Sequence, residues 1–150
     1  MSADGSAFMA NARLEARDER FLRLLSEALG RIPRGVLPVR SVRTVRLRRK
    51  GRSPTLVGLT TYTPADRSVE APLRSGEGGT QTITFYADIF HRLSDEAALA
   101  VIVHEFAHAW LNEHHSPEES KGREKEADEM AASWGFGREL GALDGEAYSL

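Results

Sequence analysis

The stretch VIVHEFAHAW, Val101–Trp110, is the most apolar part of the sequence, yet it contains two histidines and a glutamate. Polar groups are unfavourable in an apolar environment unless hydrogen bonds or a metal ion satisfy them. His104, Glu105 and His108 therefore need either a hydrogen-bond network or a shared metal. The apolar residues on nearly every side of them indicate that the segment lies at the centre of the fold.

The length and the composition are those of an ordinary globular protein. The chain has 150 residues, of which 41% are hydrophobic and 28% are charged, and its formal net charge is -2. This length suits a single domain, residues 1–150, with one moderate core. The sequence contains no cysteine, so disulfides and thiolate metal sites are excluded, and any metal must be bound by His, Asp or Glu.

Neither export nor membrane insertion is indicated by the sequence. Its first residues, MSADGSAFMANARLEARDERF, lack the long apolar segment of a signal peptide. The longest apolar stretch, Ala97–Leu111, is too short to span a bilayer and is interrupted by polar residues. We expect a cytoplasmic protein that does not associate with a membrane.

The first half of the chain is predicted to contain one helix followed by strands. Residues 1–7 are expected to be disordered. The apolar spacing predicts a helix from about Ala7 to Leu29, which Gly30 can end. Alternating or β-branched residues then predict three strands: Val39–Arg49, Thr55–Thr63 and Thr80–Tyr86.

The connections and the second half complete a prediction of the α+β class. Lys50–Pro54 is expected to form a hairpin turn between the first two strands, and Pro64–Gly79 has the composition of a long flexible loop. Ser94 is a good N-cap for a helix that runs to about Glu113. A last helix is predicted over roughly Glu119–Leu140.

The motif His104-Glu105-x-x-His108 lies inside the predicted Ser94–Glu113 helix. Positions four apart share one helix face, so both imidazoles can reach one ion. Glu105 projects about 100° away, as a general base beside the metal requires. Zinc fits because it accepts nitrogen and oxygen ligands, and catalytic zinc sites use three protein ligands and one open position. The alternative is a pair of hydrogen-bonded core histidines with Glu105 as their partner.

One candidate for the third ligand is His114. It follows His108 by six residues, a spacing that resembles the metzincin pattern H-E-x-x-H-x-x-G-x-x-H. Leu111 occupies the glycine position of that pattern, and leucine disfavours the left-handed conformation in which the chain leaves the helix there. Asn112 could adopt that conformation instead, so His114 stays a candidate. Met130 lies within a predicted helix, so a convincing Met-turn is missing.

A second candidate is the segment EKEAD, Glu124–Asp128. Glu124 and Asp128 are four apart and share one helix face. One of them can bind the metal while the other orients a ligand histidine through its second ring nitrogen. Glu126 is a reserve ligand. The alternative for the whole segment is a solvated charged face.

HEFAH followed by EKEAD resembles the gluzincin metallopeptidases, whose pattern is H-E-x-x-H and then E-x-x-x-D on a later helix. The run Ile83–Phe136, about a third of the chain, is similar to the catalytic core of HtpX-like and CAAX-prenyl-type peptidases, of ImmA/IrrE-type metallopeptidases and of the single-domain minigluzincins. The resemblance implies a compact zincin with an N-terminal helix, a small three-stranded mixed sheet, an active-site helix and a C-terminal glutamate helix.

The same resemblance implies a zinc metallopeptidase that hydrolyses peptide or protein substrates. Its implied zinc ligands are His104, His108 and Glu124. Glu105 becomes the general base, and Asp128 orients His104. The strand before the active-site helix, Thr80–Tyr86, would form the upper edge of the cleft, and an extended substrate would add to it. A donor that stabilises the oxyanion is also needed, and the sequence does not choose among the following candidates: Tyr62, Tyr86, His114, His115, Arg138 and Tyr148.

Two alternatives concern partners and regulation. Nine of the 20 basic residues lie within Arg31–Arg52, which contains no acidic residue, and such asymmetry is typical of nucleic-acid binding. Aromatic residues that stack on bases are missing from the segment, so we favour a strand with a solvated arginine face. A catalytically silent module that binds DNA or a protein, or a latent enzyme whose tail Gly141–Leu150 fills its cleft, remains the alternative function.

Overall fold

Four strands and five α-helices make up the part of the chain that the computed structural model describes, which is residue 8 and residues 12–36, 41–49, 58–63, 80–114 and 124–147. The strands are β1 (Arg13–Glu15), β2 (Val42–Arg48), β3 (Gly58–Thr63) and β4 (Thr80–Tyr86). The helices are α1 (Glu19–Arg31), α2 (Ala87–Phe90), α3 (Asp95–His114), α4 (Glu124–Ala131) and α5 (Gly137–Ala147), with the π-helical turn Ala132–Phe136 between the last two. The predicted α+β class is confirmed.

The sheet is mixed, as predicted, but it has four strands rather than three, in the order β1-β2-β4-β3. β1 and β4 pair parallel with β2, while β3 pairs antiparallel with β4. The additional strand, β1, occupies residues for which a helix starting near Ala7 was predicted, so that prediction is wrong there. A strand of three residues is too short for its alternation to be distinguished from a helical turn. The predicted disorder of residues 1–7 and the predicted loop Pro64–Gly79 lie outside the described residues.

Helix α1 begins and ends at residues that sequence patterns only partly indicated. Its N-cap is Asp18, whose carboxylate accepts a hydrogen bond from the backbone N–H of Phe21 at 2.8 Å. Gly30 was predicted to end the helix but lies within it. The helix stops shortly before Pro33, because the residue that precedes a proline is disfavoured in the helical conformation.

The position of β4 between β2 and β3 corrects two further predictions. β2 and β3 do not pair with each other, so the hairpin expected at Lys50–Pro54 is wrong, although the turn itself lies outside the described residues. β4 has a partner on each side and therefore cannot be the edge of a cleft. Among the described strands, the edge strand on that side is β3. Local turn signals cannot reveal that a strand later in the chain pairs between two earlier ones.

Helix α3 is the buried centre of the fold, and its prediction is confirmed. Ser94 caps it, accepting a hydrogen bond from the backbone N–H of Ala97 at 3.2 Å. Thirteen of its 20 residues are buried, because it packs against the sheet and against α1, α4 and α5. Within the described ranges, no helix is both long enough and apolar enough to cross a membrane. The cytoplasmic location stays a prediction.

The single last helix predicted over Glu119–Leu140 is instead interrupted at Gly135. The φ angle of Gly135 is 98°, in the left-handed region that favours glycine. The chain passes through the π-helical turn there and continues as α5 to Ala147, beyond the predicted end. A lone glycine in a helical pattern does not by itself indicate such a break.

A buried network of polar side chains joins β4 to the C-terminal part of α3. The amide nitrogen of Gln81 donates to Oγ of Ser41 at 2.8 Å and to the carbonyl oxygen of Ala109 at 3.0 Å. The amide oxygen of Gln81 accepts a hydrogen bond from Asn112 at 3.0 Å. Ser41 in turn donates to a carboxylate oxygen of Glu113 at 3.0 Å. Buried networks of this kind stabilise a fold when every member is satisfied.

The substitution Gln81→Leu keeps the volume but removes the central member of this network. We expect the free energy of unfolding to fall by about 2–3 kcal/mol, because buried donors and acceptors lose their partner. Urea unfolding followed by circular dichroism measures the change. Thr82→Val, on the opposite face of the same strand, is the control and should change stability by less than about 0.5 kcal/mol. Equal stability of the two variants would contradict a stabilising role for the network.

Candidate metal centre

Helices α3 and α4 bring two imidazoles and a carboxylate to one point. His104 and His108 lie one turn apart on α3, and their Nε2 atoms are 3.1 Å apart. Glu124, the first residue of α4, places one carboxylate oxygen 2.9 Å from Nε2 of His104 and the other 2.9 Å from Nε2 of His108. One donor atom from each residue lies within 4.8 Å of the others, so the three residues could hold a metal ion.

Asp128 is four residues after Glu124 and contacts the far side of the His104 ring. One of its carboxylate oxygens lies 2.8 Å from Nδ1 of His104. A carboxylate can only accept, so Nδ1 donates, and a neutral His104 then has its lone pair at Nε2. The contact with Asp128 therefore orients the ring so that Nε2 points at His108 and Glu124.

The chemistry of these donor atoms fits a cation. The lone pair of His104 faces a second imidazole nitrogen and a carboxylate oxygen, and electron-rich atoms this close repel one another unless a proton or a metal ion lies between them. Zinc–nitrogen bonds of about 2.0–2.1 Å in a tetrahedral site separate two nitrogens by about 3.3 Å. The observed 3.1 Å between the imidazole nitrogens is close to that separation.

Glu105 is buried beside the cluster, with only 6% of its surface exposed. Its Oε1 accepts a hydrogen bond from the hydroxyl of Thr60 at 2.7 Å. Burial is the largest influence on its carboxyl group and raises the pKa above the ordinary value, although the two imidazoles and the Thr60 hydrogen bond act in the opposite direction. Burial alone would lower the pKa of His104, but the three neighbouring carboxylates outweigh it and raise that pKa.

The other candidate ligands lie elsewhere on these helices. His114 donates from Nδ1 to the carbonyl oxygen of Trp110 at 2.9 Å and stacks on the Trp110 ring. Glu126 lines a cavity with Trp110 and Leu111. Neither His114 nor Glu126 belongs to the metal-capable group found among the described residues.

The candidate oxyanion donors are not gathered at the cluster. Tyr86 occupies the last position of β4, whose alternation puts it on the face opposite Phe85 and α3. Arg138 forms an ion pair with Glu96 at 2.8 Å, in the first turn of α3. His115 and Tyr148 lie outside the described residues, as does the side chain of Tyr62.

Sequence patterns did not indicate the contact between Thr60 and Glu105. The two residues are 45 positions apart, and a threonine in a β-branched strand has no feature that distinguishes a partner for a distant carboxylate. Comparison with protein families, with curated proteins and with solved structures returns no match for this chain. The resemblance to gluzincins therefore stays a prediction from the two motifs.

Metal titration tests the cluster directly. We expect one zinc ion per chain, and removal of a ligand by Glu124→Ala should weaken binding more than removal of the orienting group. Asp128→Ala should weaken binding about 10- to 100-fold, since the His104 ring loses its hydrogen-bond acceptor. Competition with a chromophoric chelator measures both. Glu129→Gln, an exposed carboxylate on the same helix, is the control; an equal loss in that variant would argue for non-specific charge effects.

The stability of the metal-free protein should depend on pH. The folded state raises the pKa of Glu105 above 4.5 and that of His104 above 6.5, so it binds these protons more tightly than the unfolded state. The free energy of unfolding should therefore fall as pH rises from about 5 to about 8. The carboxyls with lowered pKa, Asp18, Asp95 and Glu146, titrate below this range.

Urea unfolding with a chelator present, repeated across this pH range, measures the effect. Glu105→Gln should weaken the dependence of stability on pH. It removes one titrating group, and it also removes the carboxylate that contributes most to raising the pKa of His104. A stability that instead rises with pH would show that the two pKa directions are wrong.

Proposed function

We propose that this chain is a zinc-dependent metallopeptidase of the gluzincin type that hydrolyses peptide bonds in a peptide or protein substrate. The observation that supports this most is the convergence of His104, His108 and Glu124, with Asp128 bonded to the outer nitrogen of His104. Glu105 lies buried next to this cluster. These are the residues to which the resemblance to gluzincins assigns the roles of ligand, orienting group and general base, and their proximity supports the proposal.

The arrangement of elements is consistent with a zincin. The mixed sheet ends in an antiparallel edge strand, β3, and this strand packs on the helix that contains both histidines. The helix that contains Glu124 packs on the same α3. A zincin needs an edge strand, an active-site helix and a glutamate helix. The proposal therefore assigns these roles to β3, α3 and α4.

Within this proposal, His104, His108 and Glu124 hold the zinc ion and Glu105 moves a proton. When bound, zinc would act as a Lewis acid toward the scissile carbonyl and the attacking water. Oε1 of Glu105 is bonded to Thr60, so Oε2 is the atom that accepts the proton of the water and returns it to the leaving amine. Burial raises the pKa of this carboxyl above its ordinary value, which makes it a stronger base than an exposed carboxylate.

An extended substrate would bind along β3. An edge strand presents unpaired backbone N–H and C=O groups, to which a peptide can add as a further strand. β3 also contacts Glu105 through Thr60, which would bring the peptide backbone near the general base. This role was assigned to Thr80–Tyr86 from the sequence, and the strand order transfers it to β3.

Digestion of casein or of a peptide library, read by mass spectrometry, tests the proposal. The zinc-loaded protein should cleave, and Glu105→Gln should lower the rate by about 100- to 10,000-fold, the contribution of general acid–base catalysis. The variant should keep its zinc, because Glu105 is not a ligand. Glu129→Gln is the matched control and should cleave like the unaltered protein. Cleavage that persists in Glu105→Gln would refute the assigned mechanism.

The alternative is a silent or latent module, and the same experiment separates it. The side chains of Arg43, Arg48 and Arg49 are exposed. These positive charges are the observation that supports a nucleic-acid partner. Zinc binding without cleavage, together with DNA binding that is indifferent to Glu105→Gln, would favour that reading. Latency through the tail is less supported, because α5 contacts Ser94 through Glu146, about 15 Å along α3 from His104.

A further inference from the structure

We propose that Gly58 and Thr60, on the inner face of the edge strand β3, form a cradle that positions the carboxylate of Glu105. The inference rests on the proposed function, because it gives Thr60 the role of a positioning residue for the general base. Positions two apart in a strand face the same side, so both residues of the cradle meet α3. Thr61, between Thr60 and Tyr62, faces the other way and is exposed.

The hydroxyl of Thr60 faces two acceptor atoms of Glu105, and its single hydrogen is donated to the nearer one, Oε1. The hydroxyl oxygen lies 2.7 Å from Oε1 of the carboxylate and 3.2 Å from the backbone carbonyl oxygen of the same residue. Glu105 has to be ionised to act as a base, and a hydrogen bond to an ionised acceptor is about twice as strong as one between neutral groups. Among the described residues, Oε2 of Glu105 has no hydrogen-bond partner, so one oxygen is held and the other is left for proton transfer.

Gly58 provides the space that Glu105 occupies. A Cβ atom at this position would lie 3.0 Å from Cγ and 3.4 Å from Cδ of Glu105, and 3.3 Å from Cδ1 of Phe85. Phe85 is fully buried in the close-packed core and has no room to retreat. Any side chain at position 58 therefore pushes against the stem of Glu105.

The cradle also relates the general base to the substrate. The same strand that would pair with an extended peptide holds the Glu105 side chain through Thr60. The strand β3 and its contact with Glu105 then determine the distance between the peptide backbone and Oε2. This favours a high kcat, because a small misplacement of a catalytic group slows the reaction.

The test compares Thr60→Val, which keeps the shape but removes the hydroxyl, with Thr60→Ser, which keeps the hydroxyl. Thr60→Val should lower kcat about 10- to 100-fold and leave KM within about twofold, with zinc content unchanged. Thr60→Ser should restore most of the rate. The matched control is Thr82→Val, on the outer face of β4, a strand that has no part in the proposed substrate binding; its kcat should be that of the unaltered protein.

Crystal structures of the variants give a readout that does not depend on peptide cleavage. The Glu105 carboxylate should move from its position in Thr60→Val and in Gly58→Ala, and it should stay in place in Thr60→Ser and in Gly141→Ala, where a Cβ meets no atom within 4 Å. If the unaltered protein cleaved no peptide, the proposed function would be refuted. The position of Glu105 in the variant structures would still show whether Gly58 and Thr60 position its carboxylate. An unmoved Glu105 in Thr60→Val, or an unchanged kcat in that variant, overturns the inference.

Discussion

The burial of polar groups in helix α3 is the constraint on which the rest of the structure depends. Near its C-terminal end, Asn112 and the carbonyl of Ala109 are satisfied by neutral hydrogen bonds to Gln81 of β4. At His104 and His108 the partners are the carboxylates of α4, and electron-rich atoms face one another there. One helix therefore contains a satisfied hydrogen-bond network and, closer to its N-terminus, two histidines that belong to a group of side chains that could hold a metal ion.

The order of the strands connects the sheet to this helix. Because β4 lies between β2 and β3, β3 becomes the edge strand and packs on the turn of α3 that contains Glu105. The edge strand of the described sheet and a buried carboxylate thus become neighbours, although neither segment has a local pattern that indicates this contact. The alternation of side chains along β4 points Gln81 inward, where its hydrogen bond to the carbonyl oxygen of Ala109 anchors α3.

Local patterns predicted the elements whose signals are long or chemically distinct. The helix that starts after Ser94 and the strand Thr80–Tyr86 are present almost as expected. The patterns failed where a few residues or a distant contact decide the structure. β1 has only three residues, and its pairing with β2 stabilises it. Gly135 breaks the last helix, whereas Gly30 does not break the first, since a glycine permits either conformation and packing selects one.

The sequence by itself determined that His104 and His108 share one helix face, and that Glu124 and Asp128 share another, because helical spacing follows from backbone hydrogen bonds within one segment. Only the tertiary structure decided that these two faces meet, that His114 bonds to its own helix instead, and that Thr60 reaches Glu105. His108 and Glu124 are separated by 16 positions, and Thr60 and Glu105 by 45. Contacts over such separations depend on how the whole core packs, which no local pattern encodes.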